Sequence, residues 1–411
     1  MRATLHDRIV VVGGGPIGLA MTLALANAET GLRGGNVSLV ERQTLALERL
    51  PSLFDHRVYA LSPGSKTLLE SLGVWPRLLS ARIEPVRAMH VFGDALQTSK
   101  QVNDCNNDRS KIEFSEGMPL AFMVEHSALM QALIEQLREQ AGTTGNIHMF
   151  DNADISGVEF AKAGGPHQLR LKAGPTLTAD LLIAADGASS PLRAQAGIVA
   201  ETKDYESDGI VANFRIEQPH GGIARQWFAH DGVLAYLPLP DKQVSIVWSV
   251  SKTRADELSA LDDQAFTRAV MQAGDHVFSG MVLASPRARF ALRRVMATQW
   301  VQPGFALIGD AAHAIHPLAG QGANLGFADV RRLLEELQNR STLSHAGDLA
   351  VLRRYERARV EDAVIMGHVT DGLRALYLSE SQAVTRMRRD GLKVANNMDF
   401  AKSLVMAHAM R

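Results

Sequence analysis

The stretch Val10 to Gly18 reads Val-Val-Val-Gly-Gly-Gly-Pro-Ile-Gly, and it decides the fold of this chain. Its Gly-x-Gly-x-x-Gly turn joins a β-branched run, Ile9 to Val12, to an apolar run, Ile17 to Ala28. These two runs predict a buried parallel strand and the helix that leaves it. A strand, a glycine-rich turn and a helix in this order indicate a dinucleotide-binding site.

Each glycine of the turn has its own role in such a site. Gly13 permits the tight bend, Gly15 lets the backbone approach a pyrophosphate, and Gly18 allows the helix to pack closely on the strand. The phosphates then lie at the positive end of the helix. The next predicted strand, Val37 to Val40, ends at Glu41, whose carboxylate can bind a ribose diol and repels a 2′-phosphate. The sequence therefore favours FAD or NAD over NADP here.

The composition permits a large soluble enzyme and excludes several alternatives. A chain of 411 residues with 46% hydrophobic content can bury a sizeable core and predicts two interleaved domains. A net charge of −1 gives no electrostatic reason to expect nucleic acid as a partner. Cys105 is the only cysteine, which excludes an internal disulfide and a multi-cysteine zinc site and fits a reducing compartment.

The distribution of apolar residues bears on location. The N-terminus leads almost at once into the first predicted strand, and no run of about eighteen apolar residues occurs. We therefore expect neither a signal peptide nor a transmembrane segment. The expected location is the cytoplasm, with peripheral contact at the inner membrane as the alternative.

Two later motifs also follow short apolar strands. The first is the polar turn at Asp186 and Gly187, which on its own is an ordinary turn. The second follows the predicted strand Ala306 to Ile308, which leads into Gly309 and Asp310. The carboxylate of Asp310 is well suited to a ribityl or ribose hydroxyl.

The segment after this second motif predicts a helix N-terminus beside a bound ring. Gly320, Gln321 and Gly322 leave backbone amides free just before a long amphipathic helix that begins near Ala323 or Asn324. Such a helix N-terminus favours negative charge on the ring, as at N1 and the C2 carbonyl of a reduced flavin.

Two histidines in the same segment raise the question of a metal. No third ligand stands near His313 and His316, and Pro317 predicts a bent loop instead of a helix face that carries ligands. We therefore expect no metal site. Both histidines are expected to pack or form hydrogen bonds near the cofactor, and His316 is also a candidate pocket residue and acid or base.

The middle and the end of the chain have different periodicities. The stretch Ile210 to Ser251 alternates as antiparallel strands do, with Tyr236 and Trp248 either as walls of an aromatic pocket or as core residues. Leu349 to Leu378 and Ala383 to Met410 have helical periodicity and carry basic residues. These basic faces are either solvated or contact a membrane surface or a partner subunit.

Together these motifs resemble the group A flavin-dependent aromatic hydroxylases, the class related to para-hydroxybenzoate hydroxylase. In that class the Gly-x-Gly-x-x-Gly turn holds the ADP part of FAD, the Asp-Gly motif supports the pyrophosphate region and the Gly-Asp motif binds the ribityl chain. Within the class, the chain is most similar to the ubiquinone-biosynthesis hydroxylases. That similarity rests on Asp55 to Ser62 with Leu72 to Trp75, Leu237 to Leu239 with Ser245 to Trp248, Asp310 to Asp329, and Tyr355 to Arg359.

The resemblance implies a set of cofactor-binding residues. They are Gly13, Gly15, Gly18, Glu41, Arg42, Arg57, Asp186, Gly309, Asp310, Pro317, Gly320, Gly322, Ala323 and Asn324. Of these, Arg57 is expected to reach the FAD phosphates or the flavin edge. The chain departs from the broader class before the helix near Leu129, where an arginine is frequent and this sequence reads Val124-Glu125-His126. That departure leaves a flavin contact from this turn open.

The implied fold class is α/β, with a Rossmann-like FAD-binding domain interleaved with a mostly antiparallel β-sheet substrate domain. The FAD-binding domain is expected over residues 1–75, 114–197 and 286–340. The substrate domain is expected over residues 76–113 and 198–285, and a C-terminal helical region over residues 341–411.

The implied function is FAD-dependent hydroxylation of the aromatic ring of a polyprenylated phenol in ubiquinone biosynthesis. NADPH or NADH reduces the flavin as a transient co-substrate, and O2 then forms a C4a-hydroperoxide that transfers oxygen to the ring. Other quinone-biosynthesis proteins are candidate partners. Two alternatives stay open: a soluble phenolic substrate, which predicts a polar pocket with an arginine, and a flavin-binding accessory subunit. The sequence names neither a catalytic base nor the hydroxylated carbon.

Overall fold

The computed structural model describes residues 7–27, 36–47, 50–51, 53–93, 111–115, 117–161, 165–229, 232–314 and 322–378. Its mixture of helices and sheets confirms the predicted α/β class. Cys105, the candidate site residues His316, Pro317 and Gly320, and the helix predicted over Ala383 to Met410 lie outside the described residues.

The elements are numbered in chain order. The strands are β1 (Arg8–Val12), β2 (Asn36–Val40), β3 (Val58–Leu61), β4 (Ile83–Val86), β5 (Ala88–Phe92), β6 (Lys111–Ser115), β7 (Ala121–Glu125), β8 (Ile147–Phe150), β9 (Ile155–Glu159), β10 (His167–Leu171), β11 (Thr176–Ala179), β12 (Leu181–Ala184), β13 (Ala200–Arg215), β14 (Ile223–Ala229), β15 (Gly232–Leu239), β16 (Gln243–Ser251), β17 (Val282–Leu283), β18 (Ala288–Ala297), β19 (Val301–Gln302), β20 (Phe305–Leu307) and β21 (His313–Ala314). The helices are α1 (Pro16–Ala26), α2 (Pro63–Ser71), α3 (His126–Thr144), α4 (Pro191–Gln195), α5 (Lys252–Ala260), α6 (Asp263–Ala273), α7 (Gly322–Gln338) and α8 (Leu349–Leu378).

A six-stranded sheet carries the glycine-rich turn. Its order is β19-β20-β12-β1-β2-β8, and all neighbours are parallel except β19 and β20. Val10 on β1 lies opposite Leu182 on β12 and Ser38 on β2. The helix predicted after this strand is α1, which begins at Pro16 because proline fits the first helical turn. Since parallel strands end at one edge, the motifs that follow β1, β12 and β20 lie together.

A larger, nine-stranded sheet forms the second layer. Its path is β21-β18-β13-β16-β15-β14-β5-β6, with β17 also paired to β13. The antiparallel pairing of β13, β16, β15 and β14 confirms the alternation predicted over Ile210 to Ser251. Within this sheet the parallel pair is β14 with β5.

The predicted boundary at residue 286 needs correction. Strand β18 was assigned to the third segment of the FAD-binding domain, 286–340, but it pairs with β13 from Val211 opposite Ala288 to Ala200 opposite Ala297. It therefore belongs to the antiparallel sheet. Likewise, β6 continues across the expected boundary between 113 and 114 and pairs with β5. Both differences arise because backbone pairing between distant strands, which local composition does not encode, decides sheet membership.

The two faces of the nine-stranded sheet have different neighbours. One face packs against α5 and α6 in an apolar core that contains Ile210, Phe214 and Phe266. The opposite face packs at one end against Phe54 and the small sheet β3-β7-β4, and Leu237 is half-buried against this cluster. Because side chains alternate along a strand, residues one position apart on β13 or β15 lie on opposite faces.

Helix α8 coincides with the helix predicted over Leu349 to Leu378. Its first turns pack on the six-stranded sheet: the Tyr355 hydroxyl donates to the Leu307 carbonyl at 2.9 Å, and the Glu356 carboxylate accepts the Trp300 backbone N–H at 2.7 Å. Along the described residues, none of the helices combines the length and apolar character needed to cross a membrane.

Candidate active site

The glycine-rich turn has the geometry that a bound pyrophosphate requires. Gly13 has φ +114, and a Cβ at this residue would overlap the Ala185 carbonyl oxygen. A Cβ at Gly18 would overlap the Gly13 carbonyl oxygen. A Cβ at Gly15 meets no atom within 4 Å, so this glycine leaves open space in front of the N-terminus of α1. The first and third glycines are needed by the fold, and the second borders the space where phosphates would lie.

Glu41 closes this turn from the end of β2. One carboxylate oxygen accepts the Gly14 N–H at 2.5 Å, and the other accepts the Gln43 N–H at 2.7 Å. The acid is therefore held at the edge of the turn, where a ribose diol would bind. The neighbouring Arg42 is exposed to solvent.

Asp186 stands at the end of β12, beside the same turn. One of its oxygens accepts the Leu192 N–H at 3.1 Å, whereas Oδ1 is buried and has no hydrogen-bond partner among the described residues. Burial raises the pKa of this carboxyl, although Ser190 and Leu192 offset part of the effect. A buried oxygen without a partner costs free energy. It therefore fits a group that binds against this turn, as the pyrophosphate region of FAD would.

Gly309 and Asp310 follow β20 at the same edge. Gly309 has φ +58 and its N–H donates to the Asp329 carboxylate at 2.9 Å. Asp310 is solvent-exposed, yet enough protein surrounds it that desolvation raises the pKa of its carboxyl, while His313 and Arg57 act to lower it. Such surroundings are those of an accessible group in a cleft, where a ribityl hydroxyl could reach it.

Behind this motif lies a buried charged network centred on Asp329. Its Oδ2 also accepts His313 Nε2 at 2.6 Å, and its Oδ1 accepts Arg359 Nε at 2.8 Å. The His313 ring stacks on Trp300 with 4.7 Å between ring centroids. His313 is therefore part of a structural network, and no cluster of potential metal ligands occurs in the part of the chain that the structure describes.

The helix predicted to begin near Ala323 or Asn324 is α7, whose described residues begin at Gly322. Asn324, however, uses its side chain within the protein: Oδ1 accepts the Ser62 N–H at 2.9 Å and the Ser65 hydroxyl at 2.8 Å, and Nδ2 donates to the Ala60 carbonyl at 2.8 Å. The cofactor contact predicted at Asn324 therefore stays a prediction for its backbone and not for its side chain.

Replacing Asn324 with alanine is expected to lower the free energy of unfolding by about 2 kcal/mol, since buried backbone groups at Ser62 and Ala60 lose their partners. Urea unfolding followed by circular dichroism measures this loss. The control Asn36→Ala removes an exposed side chain and is expected to change stability by less than about 0.5 kcal/mol. Equal stability of the two variants would refute the role of Asn324.

The turn that carries Arg57 is fixed by the small sheet β3-β7-β4 and by the nine-stranded sheet. The buried Glu125 carboxylate accepts the Asp55 N–H at 2.6 Å and pairs with Arg82 at 2.7 Å. From the larger sheet, Asn213 Nδ2 donates to the Asp55 carbonyl at 2.9 Å. The Arg57 side chain is left exposed. Sequence reasoning missed Glu125 and Asn213, although the unusual Val-Glu-His stretch was the available signal for Glu125.

Tyr59 and His126 form a second feature that the sequence did not reveal. The Tyr59 hydroxyl and His126 Nδ1 share a hydrogen bond of 2.9 Å, and the Arg57 guanidinium lies 5.5 Å from the centre of the Tyr59 ring. Burial raises the pKa of Tyr59 to about 12, and the nearby Asp310 carboxylate contributes to the increase. Burial lowers the pKa of His126 to about 4, and the charge of Arg57 acts in the same direction. Both groups are therefore neutral at pH 7.

The lowered pKa of His126 makes stability depend on pH. Between the unfolded pKa of 6.5 and the folded pKa of about 4 the unfolded chain binds more protons, so stability falls as the pH drops through this window. Allowing for solvent screening of a half-buried group, the loss is about 1–2 kcal/mol. His126→Gln is expected to flatten this part of a urea-unfolding pH series, and exposed His148→Gln is expected to leave it unchanged. An unchanged slope in His126→Gln would contradict the assignment.

The structure changes the interpretation of Tyr236 and Trp248. Their exposures are 1% and 2%, both lie in the core with α5 and α6, and the Tyr236 hydroxyl donates to the Val270 carbonyl at 2.7 Å. Of the two interpretations that the sequence left open, this burial favours core residues over pocket walls. The physical reason is alternation, because the face toward Arg57 carries Asn213 and Leu237, one position out of phase with the core residues.

Comparisons with known proteins find relatives along nearly the whole chain. The family model described as "FAD binding domain" matches residues 7–366. The chain is 33% identical over 407 residues to 3-demethoxyubiquinol 3-hydroxylase of Escherichia coli K12, covering 98% of each chain. It is 30% identical over 451 residues to mitochondrial ubiquinone biosynthesis monooxygenase COQ6 of Danio rerio, covering 98% of this chain and 89% of the relative.

Among solved structures, p-nitrophenol 4-monooxygenase PnpA of Pseudomonas putida DLL-E4 is similar in fold. Its TM-score is 0.73 at 16% sequence identity, and the match covers 99% of this chain and 98% of PnpA. At this identity the likeness concerns the fold alone. It shows that the arrangement of sheets and helices described above occurs in a solved structure.

Proposed function

This chain belongs to the FAD-dependent monooxygenases whose family model is described as an FAD binding domain, and from that premise we propose that it hydroxylates the aromatic ring of a polyprenylated phenol in ubiquinone biosynthesis. FAD is its cofactor. When bound, FAD would supply the redox chemistry, in which electrons from NADPH or NADH and one oxygen atom of O2 are used to hydroxylate the ring. The residues described above bind, orient and shield the reactants.

The observation that carries the proposal is the meeting of three separate motifs at one edge of the parallel sheet. Gly15 borders open space, Asp186 has a buried oxygen without a described partner, and Asp310 is a solvent-exposed carboxylate that follows β20. These positions suit the pyrophosphate and the ribityl chain, and Glu41 suits the adenosine ribose. An extended dinucleotide can span them, which supports FAD at this edge.

The protein groups next to the proposed ring site support a role in orientation. Glu125 and Asn213 fix the turn that carries Arg57. The backbone of Arg57 therefore has a defined position, and its guanidinium lies near enough to Asp310 to lower the pKa of that carboxyl. Tyr59 remains a neutral hydroxyl at neutral pH and offers a hydrogen-bond donor or acceptor without charge. We propose that Arg57 contacts the flavin edge or the FAD phosphates.

The names of the relatives support the choice of substrate. The E. coli relative is named for a demethoxyubiquinol and the Danio rerio relative for ubiquinone biosynthesis. The alternative of a soluble aromatic acid predicts an arginine within the pocket. Next to the Arg57 turn, the face of the nine-stranded sheet carries Asn213 and Ser245, and beyond them Val211, Val247 and Ala235; this apolar part of the face favours the prenylated phenol.

Contact with a membrane or with other quinone-biosynthesis proteins is a further part of the proposal, because a polyprenylated phenol resides in lipid. Of the basic residues on α8, Arg354 pairs with Glu336, whereas Arg353 and Arg357 are exposed. Cosedimentation with anionic vesicles and not with neutral ones would support a membrane surface here. If the protein bound neither anionic nor neutral vesicles, transfer of the substrate by a protein partner would be favoured instead.

The activity test uses the purified FAD-loaded protein with a prenylated phenol, O2, and NADPH or NADH in parallel. We expect a product that gains one oxygen atom on the ring, formed in step with nicotinamide oxidation. FAD binding without ring hydroxylation of any phenol would favour the accessory-subunit alternative. Hydroxylation of soluble phenols alone would favour the second substrate class.

A further inference from the structure

An apolar strip crosses the face of the nine-stranded sheet that looks away from α5 and α6. On three neighbouring strands it is formed by Val211 of β13, Val247 of β16 and Ala235 of β15, which lie side by side in the register. Val233 follows on β15, opposite the neutral Ser249. Ala235, Val233 and Val247 are only half-buried, so this strip is an accessible hydrocarbon surface.

Phe290 on β18 ends the strip. It lies opposite Gly209, and a Cβ at Gly209 would approach the Phe290 ring to 2.6 Å, so the ring rests directly on the glycine. Phe290 is nevertheless 40% exposed. An aromatic ring that is held in place on a glycine, with one side open to solvent, provides a ready contact surface for a hydrocarbon ligand.

The strip is continuous with the proposed ring site. Asn213, which holds the Asp55 turn and thereby positions Arg57, is on the same face of β13 as Val211 and Gly209. Gly209 lies four residues from Asn213, which is about 13 Å along an extended strand. A ligand whose polar head lies at the Arg57 turn could therefore extend along Val211 to Phe290.

We propose that this strip binds the first isoprene units of the substrate's polyprenyl tail, with Phe290 as a residue that determines specificity for the tail. The inference rests on the proposed function and extends it. The polar end of the surface matches the phenol ring of such a substrate, and the apolar end matches its hydrocarbon tail. Charged and hydroxyl groups gather around Arg57, Tyr59 and Asp310, whereas the strip offers methyl, methylene and aromatic groups. A branched, unsaturated hydrocarbon gains by burial against such a surface.

The test compares Phe290→Ala with the wild type on two phenols that share one ring, with and without a short prenyl tail. We expect kcat/KM for the prenylated phenol to fall about tenfold, chiefly through KM, and that for the tail-less phenol to change less than about twofold. The control Leu343→Ala truncates an apolar side chain that is 82% exposed and lies outside the site, and it is expected to leave both values unchanged.

Gly209→Ala tests the same surface from beneath, because the new methyl group must displace the Phe290 ring. It is expected to reproduce the selective loss. Phe290→Leu, which retains apolar volume, is expected to recover part of it, and FAD content and thermal midpoint report the fold of each variant. Equal losses on both phenols, or no loss on either, would overturn the tail site. A wild-type protein that hydroxylates neither phenol would instead refute the proposed function.

Discussion

Replacing Gly15 with alanine is expected to weaken FAD binding about 100-fold, or about 2.7 kcal/mol, while the apo-protein folds normally. The backbone of Gly15 has φ −72 and ψ 175, which alanine adopts without strain, and its Cβ would meet no atom within 4 Å. The added methyl group therefore weakens only the binding of a ligand that approaches this backbone closely. Titration of apo-protein with FAD, followed by flavin fluorescence, gives the dissociation constant.

Two other glycines serve as controls for this result. A Cβ at Gly142 on α3 also meets no atom within 4 Å, so Gly142→Ala is expected to bind FAD as the wild type does. Gly18→Ala is expected to prevent folding, since its Cβ would overlap the Gly13 carbonyl oxygen. If Gly15→Ala bound FAD within about twofold of the wild type, the pyrophosphate would not lie at this turn.

Replacing Asp329 with asparagine is expected to lower the free energy of unfolding by about 3–5 kcal/mol, because it removes the fully buried carboxylate that pairs with Arg359 and leaves this arginine only its ion pair with the half-buried Asp362. Asp329 is fully buried and accepts from Gly309, His313 and Arg359. Asparagine retains an oxygen for one of these donors but lacks the charge. Urea unfolding at pH 7 measures the loss. The control Asp256→Asn removes an exposed partner of Arg289 and is expected to cost less than about 1 kcal/mol.

The same network gives a pH dependence of known sign. Burial opposes ionisation of Asp329, but His313 and Arg359 outweigh it and hold the pKa of this carboxyl below its ordinary value. Its contribution to stability is therefore complete above the unfolded pKa of about 3.9 and is lost as the pH falls through the lower folded pKa. Asp329→Asn should show a weaker acid dependence in this range. An unfolding free energy within about 1 kcal/mol of the wild type at pH 7 would contradict the account.

Local patterns in the sequence predicted the elements that depend on neighbouring residues. The strand from Ile9 to Val12 and the helix from Leu349 to Leu378 followed from apolar periodicity, because a single element sets it. The alternation of apolar residues along β15 predicts that its side chains lie on two opposite faces of the sheet. It does not predict which of the two faces lies toward the cofactor. For this reason Tyr236 could be assigned either to the pocket or to the core before the structure placed it in the core.

The features that were missed join residues far apart in sequence. Tyr59 meets His126, and Asn213 reaches back to Asp55 across 158 positions. No local spacing signals such contacts. Strand β18 is a similar case, because its pairing with β13 and not its composition places it in the larger sheet. The sequence predicted which turns and strand ends carry the motif residues, whereas the contacts that fix their positions required the fold.

The most direct test of the central proposal is expression of this chain in a bacterial strain that lacks a quinone ring hydroxylase, followed by mass spectrometry of its quinone intermediates. We predict that one under-hydroxylated prenylphenol disappears and that its hydroxylated product appears, which also identifies the ring carbon. The Gly15→Ala variant should leave that intermediate in place. Persistence of every intermediate with the wild-type chain, although the purified protein carries FAD, would contradict ring hydroxylation in ubiquinone biosynthesis.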